Sequence, residues 1–191
     1  LAPEDRCHLN GLALEDGRVR YVTCCSTGDA IESWRGPRQQ RDGGVLIDIE
    51  TDAVIAEGLS MPHSPRVAGA AVYLIESGRG ALVRIDRASG RREDVTHCPG
   101  FARGLAFAGR YAVLTISLPR SASLEMFDLM QSLKARGASP WRGLLIVDLA
   151  NGDIVEWMRI EGDVMELFDV AVVPDVRCPR GPGDREMVRG E

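Results

Sequence analysis

The chain has 191 residues and 20.8 kDa, with 45% hydrophobic and 27% charged residues and a net charge of −5, the composition of one globular domain with room for a core. Its 23 Lys and Arg are interleaved with 28 Asp and Glu, which leaves no nucleic-acid footprint, and no run approaches the roughly 18 apolar residues needed to cross a bilayer as a helix. Five cysteines (Cys7, Cys24, Cys25, Cys98, Cys178) without C-x-x-C spacing argue against zinc or disulfide scaffolding and fit buried thiols in a reducing cytoplasm.

Short extended runs follow one another along the chain. LNGLAL (9–14) and RYVTC (20–24) flank an EDGR turn, and after a loop holding Trp34 and the solvated stretch Arg35 to Arg41 come VLIDI (45–49) and AVIAEG (53–58). SPRVA (64–68), VYLIE (72–76), ALVRID (81–86) and RREDV (91–95) repeat the order. ARGLAFA (102–108) and YAVLTIS (111–117) begin it again. A helix over 123–136 interrupts, with Ser123 as N-cap, Glu125 and Asp128 early, Lys134 and Arg136 late and Gly137 after it. Its apolar stripe, Met126, Leu129, Met130 and Leu133 with Leu124 and Phe127 beside it, packs down on the strands or on a partner. LLIVDL (144–149) and DIVEWMRI (153–160) complete the third set. FDVAVV (168–173) reads as one more strand before a polar tail at 176–191.

Asp48, Asp86 and Asp148 each close an apolar run and open a tight turn, at intervals of 38 and 62 residues, the longer inflated by the helical insert. A unit of roughly 40 to 50 residues with four strands is the size of a propeller blade. The expected fold is therefore all-β: a partial or open β-propeller of about three and a quarter blades (9–58, 64–95, 102–160, last strand 168–173) in a domain over 1–175. Three and a quarter blades do not close a ring, so the missing blades belong to the same polypeptide or to a second copy. With strands named a to d within a blade, the a-to-b and c-to-d turns are short and rich in Gly, Asp and Asn. The b-to-c and d-to-a connections are long and share the opposite face, where function on a rigid scaffold concentrates.

His8, His63 and His97 fall at corresponding points of successive blades, near the entry to the central channel on that face. Asn10, Ser64, Arg66, Arg103, Glu166 and Asp169 join the same ring, with Trp34 and Trp141 carried above it. Imidazoles with Glu166 and Asp169 offer a ligand set for a divalent metal, and Arg66 or Arg103 would hold a carboxylate or phosphate. The alternatives are a metal-free ligand pocket, or side chains that only tie loops together. Glu166 and Asp169 also allow a general acid/base pair. Cys98 beside His97 is a weak nucleophile candidate, because neighbours on an extended chain point apart. No phosphate-binding glycine motif or nucleophile elbow is present.

The segments NGLALEDGRVRYVT, GGVLIDI, LSMPHSPRV, GFARGLAFAGRYAV, GLLIVDL and ELFDVAVVP resemble a bacterial family of uncharacterised conserved hypothetical proteins with a six-bladed propeller-like architecture. The resemblance implies a parent about twice this length, of which the chain, beginning with Leu, looks like the C-terminal half. It transfers no catalytic residue. Two function classes result: a small-molecule-binding propeller with metal-assisted lyase or lactonase chemistry, or a non-catalytic interaction scaffold using the 123–136 helix and the Trp34 loop.

Overall fold

The computed structural model describes residues 3–119 and 127–177. Twelve strands form three four-stranded antiparallel sheets, each ordered as the chain runs. The first holds β1 (Leu9–Glu15), β2 (Arg18–Cys24), β3 (Gly44–Asp48) and β4 (Ala53–Leu59). The second holds β5 (Pro62–Ala68), β6 (Ala71–Glu76), β7 (Ala81–Asp86) and β8 (Arg92–His97). The third holds β9 (Phe101–Ala108), β10 (Tyr111–Ser117), β11 (Gly143–Asp148) and β12 (Ile154–Arg159). Each sheet is one blade, and the innermost strands β1, β5 and β9 lie side by side. The architecture is an open, propeller-like arc.

The alternation within strands becomes the glue between blades. Ala13, Tyr21, Leu46 and Leu59 of the first blade pack with Val72, Leu74, Val83 and Ile85 of the second. Ile75 and Leu82 reach the other way, onto Leu105, Leu114, Ile116, Leu145 and Val147 of the third. Middle strands are thus buried on both faces, which is why they read as nearly continuous apolar runs. The outermost strand β12 is exposed along its whole length, Trp157 included.

The recurring aspartate is a turn cap. Asp48 Oδ1 accepts the Glu50 amide and Asp148 Oδ1 the Ala150 amide, each at 3.0 Å, while Asp86 Oδ1 accepts both the amide and the hydroxyl of Ser89. The a-to-b turn at Asp16 and Gly17 has positive φ at both residues (50° and 77°), the conformation of a tight hairpin whose twist matches its strands.

Three expectations need correction. Arg35 to Arg41 is not a plain loop: Ser33–Arg35 forms a 3-10 turn and α1 (Pro37–Asp42) a short helix with Pro37 in its first turn, where a missing N–H costs nothing. The helix of the third blade is described as α2 (Asp128–Ala135), with Gly137 in the left-handed region after it (φ 62°). The expected cap Ser123, with Leu124, Glu125 and Met126, lies outside the described residues, as do Cys178 and the tail beyond 177. The run 168–173 is no strand. A strand exists only by pairing, and the described residues supply no neighbour to its ladder. It nevertheless follows directly on a segment held by β10, whose Ser117 and Thr115 hydroxyls contact the Leu167 carbonyl.

Candidate functional site

The inner strands enter their sheets through the same irregularity. Register slips between Leu9 and Gly11 in β1, between His63 and Arg66 in β5, and between Ala102 and Leu105 in β9. Such a bulge frees a side chain from the alternating pattern and re-aims it. The residues so displaced, Asn10, Ser64 and Arg103, all line one cleft of about 940 Å³. His8, His63, Arg66 and Asp169 share its wall, and Leu12, Leu14, Val67 and Phe107 add an apolar lining.

The backbone around this cleft is strained. His8, Met61 and Ser64 have φ of 51°, 49° and 48°. Non-glycine residues in that region cost about 1–3 kcal/mol each, and such strain gathers where function demands a fixed geometry.

The cations of the cleft differ in how far they are spoken for. Arg103 Nη1 donates to Glu166 Oε2 at 2.5 Å, with both side chains largely buried, and its guanidinium sits 5.2 Å from the Phe168 ring centroid. Arg66 Nη1 donates to the carbonyl of Pro65, but its nearest carboxylate oxygen among the described residues, Asp169 Oδ1, is 3.7 Å away, beyond hydrogen-bond range. Arg66 therefore keeps donor capacity for a ligand. Arg35 lies 4.5 Å over the Trp34 ring, and both residues line the cleft.

The amino-terminal segment is laced to the b-to-c loop of its own blade. Cys25 and Ser26 amides donate to the Cys7 carbonyl, Glu32 to the Asp5 carbonyl, and the Ser33 hydroxyl to the Arg6 carbonyl. Asp5 Oδ2 meets His8 Nδ1 at 2.8 Å and the Trp34 indole N–H at 2.9 Å. The imidazole and indole rings stack 3.9 Å apart. Behind them, Asn10 donates to Cys25 Sγ and to the Pro62 carbonyl. Burial pushes the Cys25 thiol up to about 12, so it stays protonated near neutral pH.

The model of a domain of unknown function, DUF4915, matches residues 1–181. The chain belongs to the DUF4915 family. No curated protein matches it. Among solved structures, the DUF4915 chain is similar to Kuenenia stuttgartiensis hydrazine synthase, at 15% identity and TM-score 0.51 over 80% of this chain. It spans 37% of that protein's chain. It is also similar to the computationally designed Ika4 protein, at 11% identity and TM-score 0.50 over 92% of this chain and 86% of that one. At these identities the likeness concerns the fold alone.

Within the DUF4915 domain, the cleft gathers His8, Asn10, His63, Ser64, Arg66, Arg103 and Asp169, and Glu166 reaches it through Arg103. His97 is not with them. It ends β8, the outermost strand of its blade, and its Nε2 faces Asp94 at 3.8 Å. A d-to-a connection starts at the rim and finishes at the centre, so its first residue and its last lie far apart. Among the described residues no group of three His, Cys, Asp or Glu stands close enough to hold a metal, so the expected triad of His8, His63 and His97 does not form. Cys98 is buried and its thiol pushed up to about 12 by burial, which removes it as a nucleophile. Trp141 packs against the third blade and the ring of Trp157, away from the cleft. Asp5, Met61 and Phe107 went unread in the sequence. The spacing of Asp5 and His8 was the available signal for the first.

Proposed function

We propose that this DUF4915 domain binds a small anionic molecule with an apolar body in the cleft at its long-loop face. One observation carries the reading: three bulged strand entries converge on a strained, part-apolar cleft in which Arg66 keeps unspent donors. A guanidinium binds carboxylate or phosphate through paired hydrogen bonds, while Leu12, Leu14 and Phe107 offer surface to the rest of the molecule. Further blades, from the same polypeptide or a second copy, complete the ring around this cleft. The support for that is the bare apolar strand β12, with Val155, Trp157 and Met158 exposed.

The scaffold alternative finds less support. Leu129 and Leu133 of α2 are buried with Phe101 and Phe127, and Trp34 is only 6% exposed, so the apolar groups it would use are already taken up by the fold. Metal-assisted lyase or lactonase chemistry lacks a ligand set among the described residues.

Phenyl phosphate, which joins a dianion to an aromatic ring, is the probe. Its titration should move the Trp34 indole N–H resonance saturably and leave Trp157 still. Arg66→Ala should weaken that binding roughly tenfold or more, the worth of a charged hydrogen bond. An unmoved Trp34 resonance at millimolar probe, or equal binding by the variant, overturns the proposal.

A further inference from the structure

Asp5 and His8 do more than close a loop. A carboxylate only accepts hydrogen bonds, and an indole N–H only donates. Asp5 Oδ2 receives the Trp34 indole and faces His8 Nδ1 at 2.8 Å, so Nδ1 must carry a proton. The neutral ring then holds its lone pair on Nε2. Four constraints fix this ring: the carboxylate, the stacked indole at an interplanar angle of 19°, the left-handed backbone of His8, and the hydrogen bonds from the Cys25 amide to the carbonyls of Cys7 and His8. Loop closure alone needs none of this orientation. No hydrogen bond to Nε2 is formed among the described residues, and His8 lines the cleft.

We propose that Asp5 and His8 form a proton-transfer dyad in this cleft, His8 acting as the base toward a hydroxyl of the bound anion and Asp5 positioning it. The proposal rests on the cleft being a ligand site. In the step, Nε2 gains a bond to the hydroxyl proton, the O–H bonding pair stays on the ligand oxygen, and the imidazolium charge lies against the Asp5 carboxylate. The surrounding charges leave Asp5 available. Arg6 is paired with Glu4 and Asp29, and Arg35 with Glu32. The ligand class is thereby narrowed to hydroxyl-bearing carboxylates or phosphates.

The test is the rate at which diethyl pyrocarbonate acylates each histidine, read by mass spectrometry at mildly alkaline pH, above the ordinary imidazole range. The His8 side chain is 33% exposed and that of His97 57%, so accessibility alone makes His97 faster. The dyad makes His8 several-fold faster instead, and nitrogen-15 shifts show it as the Nδ1–H tautomer. Asp5→Asn keeps an acceptor for the indole but presents an N–H to His8, so it should flip the tautomer and slow the reaction, with Asp5→Glu restoring both. A His8 no faster than His97, or the other tautomer in the wild-type chain, sinks the dyad even if the variants fail to fold. Phenyl phosphate should protect His8 and not His97. Absent protection with a fast, Asp5-dependent His8 overturns the anion cleft and so the ligand class; protection with a slow His8 overturns the dyad alone.

Discussion

Thr23 and Thr115 occupy the same point of two blades, both fully buried, but only Thr115 has a use for its hydroxyl. Thr115 Oγ1 accepts the Gly104 amide at 2.7 Å and donates to the Leu167 carbonyl at 3.2 Å, whereas Thr23 Oγ1 is buried with no partner among the described residues. Thr115→Val strands a buried amide and should cost about 1–3 kcal/mol. Thr23→Val should be neutral or slightly stabilising. Urea unfolding of the two variants checks the contrast, and equal losses would contradict it.

Glycines at the same bulges allow neighbouring backbone to approach. A Cβ on Gly104 would stand 2.7 Å from the Asp169 Cα, and one on Gly11 would stand 2.9 Å from the Ser64 amide nitrogen. Neither neighbour is a flexible tip, so Gly104→Ala and Gly11→Ala should each lose about 1–3 kcal/mol through overpacking. Thermal melts report the loss, and Gly11→Ala should also weaken phenyl phosphate binding because Ser64 lines the cleft.

Glu76 knots the first blade to the second. Its fully buried carboxylate accepts the Ser60 amide at 2.9 Å and pairs with Arg79 at 2.6 Å and Arg92 at 3.1 Å. Glu76→Ala leaves that buried amide without its acceptor, while Arg79 keeps Asp94 and Arg92 keeps the Gly58 carbonyl. Breaking a buried pair costs about 3–5 kcal/mol, and the partly exposed arginines, each with another acceptor, put the expected loss at the lower end.

Asp94 gives stability a defined pH dependence. Burial alone would raise its pKa, but the hydrogen bonds and charge of Arg79 outweigh burial and hold it below the ordinary value. Asp86 is lowered too, by the Ser89 hydroxyl and amide. A folded pKa below the unfolded one means that the stabilisation is present above the ordinary carboxylate value, about 3.9, and is lost as pH falls through the folded value. The gap in melting temperature between the wild-type chain and Asp94→Asn should therefore be widest near neutrality and close in acid. A gap that persists in acid would refute the assignment.

The thiols should be quiet in the folded chain. Burial pushes Cys24, Cys25 and Cys98 up to about 12, with the neighbouring Cys7 adding to the effect at Cys24. Iodoacetamide near neutral pH should leave all three unmodified until denaturant is added, as peptide mapping would show.

The twelve strands were legible because their causes are local: alternation within VYLIE or YAVLTIS, and turn chemistry at Asp48, Asp86 and Asp148. The face that carries the cleft followed from loop length, which is also written in the chain. What was hidden depends on distant partners. His97 looked equivalent to His8 and His63, but register along a connection does not say which end is at the rim. Asp5 is placed by Trp34, 29 residues on, as well as by its neighbour His8. The run 168–173 has strand composition, but pairing is a property of two segments and not of one.

The bulges have an evolutionary consequence. Asn10, Ser64 and Arg103 stand where the regular ladder is interrupted, so exchanging them leaves the pairing on either side of each interruption in place. Selection can then alter the cleft wall at one residue per repeat while the repeat itself is inherited intact. Diversity within the family should be concentrated at these points, while Gly11, Gly104 and Thr115 beside them stay fixed.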